Sequence, residues 1–324
     1  MLSRAPAPRV AVLVPCLNEE AAVEGVVRGF RAALPDATVY VYDNGSTDRT
    51  AERALAAGAV VRSEPLRGKG NVVRRMFADV EAEVYVLVDG DDTYDAAAAP
   101  DLIRALEERQ LDMVNAARVT DAAAAYRPGH RFGNALLTGL VARIFGSRFR
   151  DILSGYRVFS RRFVKSFPAL AAGFEIETEL TVHALELRMP VLELDAAYRE
   201  RPRGSASKLR TFRDGARILR TILTLTKEER PLAFFSAVGG LLLATAVALA
   251  APLVPTYLRT GLVPRLPTAV LSTGLAILAF LSLSCGLVLE TVTRGRRELK
   301  RLHYLRFRAP AAAGRAARED EAAA

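Results

Sequence analysis

The chain has 324 residues, of which 51% are hydrophobic, and its 45 Lys and Arg outnumber its 36 Asp and Glu for a formal charge of +9. That length accommodates one soluble domain of ordinary size and a further element. Two cysteines and three histidines exclude a disulfide or zinc scaffold and fit a reducing cytosol.

In chain order, the apolar run Val10–Val14 is too short for a signal-peptide core and is followed at once by Asn18-Glu19-Glu20. It reads as the first strand. Val39–Tyr42, Ala59–Arg62, Val84–Val88, Asp112–Asn115 and Val191–Leu194 are further strand candidates. Segments 19–34, 48–57, 69–80 and 98–109 carry helical apolar spacing, and 131–145 and 174–188 also look helical, with the polar stretch 148–157 between them. Such alternation predicts a mostly parallel, Rossmann-like α/β sheet covered by helices on both faces, with ligands at the carboxyl ends of the strands. Three polar clusters follow three strands: "PCLNEE" at 15–20, "DNGSTD" at 43–48 and "DGDD" at 89–92. They are expected to converge on one edge.

Beyond residue 200 the composition changes. Residues 201–230 begin with the basic "RPRGSASK" and continue with Leu209, Phe212, Leu219, Ile222 and Leu223 at helical spacing among arginines. This reads as a basic loop and an amphipathic helix lying in the headgroup plane. Residues 231–290 hold two uncharged runs, Leu232–Ala251 and Ala269–Leu289, each long enough as a helix to cross a bilayer core of about 30 Å. Lysine and arginine crowd the outer ends of this hairpin, whereas the loop between the runs offers only Arg259 and Arg265. The bias predicts a multi-pass protein of the cytoplasmic membrane with its 1–200 domain and both termini in the cytoplasm. Residues 291–324 form a basic tail whose low-complexity end is expected to be disordered. The positive charge is thus read as attraction to anionic lipids rather than to nucleic acid, for which no aromatic-interleaved basic face or recognition motif occurs. A homo-oligomer is compatible with this organisation.

The four aspartates in "VDGDDTYD" repel one another, so water or a cation must lie among them. Locally, a solvated turn is the default reading; the neighbouring clusters raise the alternative. Asp89 and Asp91 supply hard oxygen ligands suited to Mg²⁺ or Mn²⁺, ions that bridge to substrate phosphates. The loop at 201–208 offers guanidinium, ammonium and hydroxyl groups that grip phosphate. Together they describe a diphosphate site, and it is not a P-loop, because no Gly-x-x-x-x-Gly-Lys-Ser/Thr occurs.

Five ordered motifs, "VLVPCLNEE", "YVYDNGSTDRT", "RGKG", "VYVLVDGDDTY" and "SGYRVFSRR", together resemble a family 2 glycosyltransferase of GT-A fold over roughly residues 8–230. The basic loop and the two C-terminal spans are most similar to the branch containing dolichol-phosphate mannose synthase and bacterial polyprenyl-phosphate glycosyltransferases. That resemblance implies an inverting, metal-dependent hexosyl transfer from a UDP- or GDP-linked sugar to a polyprenyl phosphate at the cytoplasmic membrane face. It also implies roles. Pro15, Asn18, Glu19 and Asp43 would line the nucleoside pocket with Lys69 and Gly70 beside it, and Asp89 and Asp91 would hold Mg²⁺ or Mn²⁺. Arg203, Ser207 and Lys208 would close on the donor diphosphate, with Asp91, Arg203 and Lys208 supporting departure of the leaving group. Arg131, Ser154 and Arg157 would receive the acceptor phosphate.

Asp92 and Asp95 are expected to serve the turn and the next helix, while Glu175 and Glu177 read by default as surface carboxylates. Two positions depart from the family pattern: Asn44 stands where a second aspartate is frequent, and Thr93 where some members carry a glutamine ligand. Rival functions are transfer directly to a membrane lipid alcohol or glycan, with Asp151 or Glu177 as base, and a non-catalytic membrane protein that binds nucleotide sugar. A processive polysaccharide synthase is disfavoured, because its acceptor motif needs tryptophan and the chain has none.

Overall fold

Strand β1, Val10–Cys16, is apolar on both faces and nearly all buried, the pattern of a central strand covered by helices on each side. In the computed structural model it lies in the middle of a seven-stranded sheet of order β3-β2-β1-β4-β6-β5-β7. The remaining strands are β2 (Thr38–Asp43), β3 (Val60–Ser63), β4 (Val84–Leu87), β5 (Met113–Val119), β6 (Arg157–Ser160) and β7 (Val191–Ala197). The structure describes residues 9–119, 149–173, 175–199 and 226–310, with isolated positions 139, 220 and 224. The expected helix over 131–145, most of the amphipathic helix and the end of the tail lie outside the described residues. The chain divides into a first unit of Met1–Gly215 with Lys300–Ala324 and a second of Ala216–Leu299.

In the first unit β1 runs parallel to β2 and β4, and β2 parallel to β3. The β1–β2 register pairs Cys16 with Asp43, and the β1–β4 register pairs Leu13 with Leu87, so the three polar clusters emerge side by side. Val12, Val14 and Cys16 share one core with Val23, Val26, Val27 and Phe30 of α1 (Val23–Ala33) and with Leu102 and Leu106 of α4 (Ala99–Glu108). The i, i+3, i+4, i+7 spacing of the α1 set gives that helix its single apolar stripe. Ala11 and Leu13, also fully buried, face the opposite side by the period-two geometry of a strand. Helix α2 (Thr50–Ala56) packs with α1, whereas α3 (Lys69–Asp79) packs with α5 (Arg161–Ser166) and α6 (Ile176–Glu186).

The sheet is mostly parallel, as the alternation predicts, with β5 parallel to β7 and one strand reversed. Strand β6 lies antiparallel to both β4 and β5, with Arg157 opposite Leu87 on one side and Asn115 on the other. It begins at Arg157, the last residue of the polar stretch 148–157, and is not among the expected strands. A four-residue strand led by a charged side chain carries no apolar run, and only the burial of Arg157 among backbone carbonyls makes it a central strand.

The second unit holds α7 (Pro231–Ala250), α8 (Leu253–Thr260) and most of α9 (Leu266–Tyr304). Helices α7 and α9 meet through small residues: Gly239, Ala246, Ser272 and Ala279 are buried, and a Cβ on Gly239 would come within 3.0 Å of the Ala279 carbonyl oxygen. Ser272 and Ser282 each donate across the helix pair, to Ala246 O and Phe235 O, both at 2.9 Å. Large apolar side chains such as Leu241, Val247, Phe280 and Leu287 are exposed. Only 11% of the most apolar window of each helix is buried, which separates this pair from the core helices of a soluble domain.

Candidate active site

At the carboxyl edge of the sheet, the loop after β1 and the loop after β2 are laced together. Asn18, at φ 53°, receives the Thr47 backbone N–H on Oδ1 at 2.8 Å, and its own N–H donates to Ser46 Oγ at 2.8 Å. The Glu19 N–H donates to Thr50 Oγ1 and the Arg49 N–H to Glu20, so the "NEE" and "STDRT" segments hold each other. Asp43 closes the β2 turn by accepting from the Ser46 N–H. The structure brings Pro15, Asn18, Glu19 and Asp43 to one edge, but Asn18 and Asp43 spend side-chain oxygens on shaping the loops.

Asn44 is the joint between this edge and "RGKG". Its Nδ2 donates to the carbonyls of Glu64 and Leu66, both at 2.8 Å, while Oδ1 accepts the Gly68 N–H at 2.7 Å. An aspartate cannot make the two donations. Gly68, at φ 126°, then starts α3, and a Cβ on either Gly68 or Gly70 would collide with the backbone at Ala171 and Ala172. Gly70 N–H donates to Gly173 O and Asn71 N–H to Ala172 O, fixing the start of α3 to the segment that leads into α6.

The opening residue of α3 carries the chemistry. Lys69 Nζ bonds both Asp89 Oδ1 and Glu177 Oε1. Burial alone would lower the Lys69 pKa, yet the two carboxylates outweigh it and hold the ammonium charged. Burial pushes the Glu177 carboxyl up, and Lys69 restrains that rise. Glu177 is therefore no surface carboxylate. Its Oε2 is buried without a hydrogen-bond partner, as is Glu175 Oε2.

Asp91 is buried, and its Oδ1 accepts the Thr93 hydroxyl at 2.6 Å and the Thr93 N–H at 3.3 Å. Thr93, which stands where some family members carry a glutamine ligand, orients the carboxylate. Two glycines admit this acidic turn: a Cβ on Gly90 would strike Cys16 Sγ, and one on Gly155 would strike the Asp89 carboxylate. Asp95 caps the following 3₁₀ turn by accepting the Ala97 N–H, as expected. Asp92 does not cap. At φ 56° it lies against Gly25 of α1, where burial raises its pKa.

The acceptor-side residues need correction. Arg157 is completely buried and donates to Ser154 O at 3.0 Å, Ile152 O at 2.6 Å and Thr181 Oγ1 at 2.8 Å. Ser154, also fully buried, donates to Ala116 O at 2.6 Å. Both hold the "DILSGYR" loop in shape rather than face a ligand. In that loop Gly155 N–H donates to the Tyr94 hydroxyl at 2.9 Å, and Asp151 is gripped by Arg118 through two bonds of 2.6 and 2.8 Å. Burial opposes the charge on Asp151, but Arg118 prevails and keeps its carboxyl below the usual range. Arg131, Arg203, Ser207 and Lys208 lie outside the described residues.

The donor set fits a hard divalent cation. Among the described residues no cluster of three or more His, Cys, Asp or Glu could hold a metal alone. Asp89 and Asp91 supply two carboxylates at the strand end, the number that Mg²⁺ takes when substrate phosphates and water complete its shell. Asp89 already collects a cation, the Lys69 ammonium.

A mixed sheet with this acidic edge is the architecture of a nucleotide-sugar transferase, and the chain's relatives agree. The profile of glycosyl transferase family 2 matches residues 11–167. Glycosyltransferase AglJ of Haloferax volcanii is 36% identical over 247 residues, covering 74% of this chain and 80% of AglJ. Protein RfbJ of Shigella flexneri is 54% identical over 123 residues, 38% of this chain and 95% of RfbJ. Among solved structures, Mycobacterium tuberculosis glucosyl-3-phosphoglycerate synthase in complex with Mn²⁺, UDP-glucose and glycerol 3-phosphate superposes with a TM-score of 0.53 at 26% identity, covering 68% of this chain and 79% of that one. The chain belongs to glycosyl transferase family 2. Its first unit has the GT-A fold, and the protein is a glycosyltransferase.

Proposed function

We propose that the protein moves a hexose from a UDP- or GDP-linked donor to a polyprenyl phosphate at the cytoplasmic face of a membrane that its second unit spans, with inversion at the anomeric carbon. The observation that carries the lipid acceptor is that second unit. Helices α7 and α9 pack on each other through Gly239, Ala246, Ser272 and Ala279 while turning large apolar side chains outward, and hydrocarbon is the solvent that makes such a surface stable. The basic segments flanking the spans would meet anionic lipids.

Asp89 and Asp91 are assigned to Mg²⁺ or Mn²⁺, the ions named in crystal structures of the mycobacterial synthase. Bound there, the cation would offset charge gathering on the departing nucleoside diphosphate. The rest is the work of side chains. Thr93 holds Asp91 in its rotamer, and Asn44 ties the loop after β2 to the loop after β3 beside the nucleoside position. An oxygen of the acceptor phosphate attacks the anomeric carbon, the carbon–oxygen bond to the donor's β-phosphate breaks, and the nucleoside diphosphate departs with the electron pair. A phosphate monoester is already ionised near neutral pH, so the step needs positioning and not a base. Arg203, Ser207 and Lys208 at the diphosphate, and Arg131 at the acceptor, are assigned on the sequence alone.

An alcohol acceptor is a second reading, and one observation favours it: Glu177 is buried with a raised pKa, the property of a general base. Asp151, locked by Arg118, is unsuited to that role. The deciding experiment incubates the full chain with polyprenyl phosphate and a panel of UDP- and GDP-sugars, with and without EDTA, and measures lipid-extractable product by mass spectrometry. A sugar–phosphate lipid made only with metal is expected. No such lipid from any donor would overturn the proposal, and a glycosylated alcohol would establish the second reading.

A further inference from the structure

An ammonium group sits on the carboxylate to which the preceding section assigns a divalent cation. Lys69 Nζ bonds Asp89 Oδ1, and an ammonium and a divalent cation that both contact one carboxylate repel each other strongly. We propose that Lys69 is the resident cation of the ligand-free site: its ammonium neutralises Asp89 until a divalent metal binds there, then withdraws onto Glu177. The inference rests on the metal assignment to Asp89 and deepens it, by making metal loading an exchange of cations rather than the filling of a vacant cup.

Three features support the exchange. The Lys69 side chain is 10% exposed and that of Glu177 7%, so without the ammonium Asp89 and Glu177 would face each other as carboxylates poorly screened by water; the 31% exposure of Asp89 leaves an approach for the metal. Glu177 already holds Lys69 through Oε1, and its Oε2 is buried with no hydrogen-bond partner. It therefore has an unused acceptor for the N–H that Lys69 releases on leaving Asp89. Finally, Gly70 N–H to Gly173 O and Asn71 N–H to Ala172 O pin the backbone beside Lys69 to the segment that leads into α6. The movement then requires only rotation within the lysine's flexible four-carbon stem.

The mechanism predicts opposite signs for two neighbouring residues, which a merely structural role would not. Mn²⁺ binding is measured by electron paramagnetic resonance on the full chain in detergent, alone and with UDP or GDP. Lys69→Met, which removes the competing cation, is expected to bind Mn²⁺ at least roughly tenfold more tightly than the unsubstituted protein. Glu177→Gln is expected to bind it several-fold more weakly, because the displaced ammonium has no second carboxylate. Circular dichroism and thermal melting check the fold. Should Lys69→Met fail to fold, the charge-balanced pair Lys69→Met/Glu177→Gln carries the test and must bind Mn²⁺ at least roughly tenfold more tightly than Glu177→Gln alone. Mn²⁺ binding that weakens in both single variants, or moves in neither, overturns the exchange and leaves the metal assignment standing. No Mn²⁺ binding by any protein, with either nucleotide, overturns both.

Discussion

Single side chains at this site are explained by the hydrogen bonds they can and cannot make. Asn44 is the clearest case, because both donations of its amide end on backbone carbonyls and its oxygen takes a backbone N–H. Asn44→Asp places a carboxylate against two carbonyl oxygens, and about 1–3 kcal/mol of stability should be lost, as measured by chemical denaturation. His183 offers a second test. It is buried between Phe163 and Phe167, at ring-centroid distances of 5.5 and 5.3 Å, and its Nδ1 has no partner. Burial, with a smaller push from the charge on Lys300, drives its pKa from 6.5 down to about 3. Between those values the unfolded chain binds the proton and the folded chain does not. Its contribution is therefore complete above pH 6.5 and declines by about 1.4 kcal/mol per pH unit as the pH falls below it. His183→Phe should flatten the fall in melting temperature between pH 6.5 and 5.

At the scale of elements, the strands that read clearly from sequence are those whose burial is expressed in their own side chains. Val10–Val14 and Val84–Val88 are apolar throughout, and the structure finds β1 and β4 there. Strand β6 was not legible, because Arg157 is accommodated by carbonyls of Ile152 and Ser154 that only the folded loop presents. The family resemblance gave the same arginine an acceptor-binding role, and only the folded loop shows that its guanidinium is used up on Ser154, Ile152 and Thr181. The helix pair of the second unit makes its own prediction. Gly239 lies so close to the Ala279 carbonyl that Gly239→Leu must push α7 and α9 apart. A loss of about 1–3 kcal/mol is expected, read as a lower melting temperature of the full chain in detergent.

For the whole molecule, family, fold and reaction class agree with the expectations drawn from five ordered motifs, and the two long apolar helices lie where the uncharged runs do. Metal dependence is the property that tests the assembled site. Asp91→Asn keeps the shape of the side chain and its bond from Thr93 but removes the charge, so transfer should fall by at least about 100-fold, with EDTA producing a comparable loss that added Mn²⁺ reverses. Product formation from a nucleotide sugar is the measurement, and activity retained in both cases would sink the assignment of the cation to Asp89 and Asp91.

The sequence by itself determined most of the strands and helices that carry their own apolar pattern, which segments are apolar enough to leave water, and that three acidic and polar clusters follow three strands. These follow from periodicity and composition, properties local to a few residues. Only the tertiary structure decided what each polar side chain is used for, because that depends on partners far away in the chain. Lys69 meets Asp89 and Glu177 across 20 and 108 positions, and Arg157 disappears into a core completed by Thr181 of α6. Charge next to charge in the sequence says little about which carboxylate keeps a cation; burial and the reach of one lysine settle it.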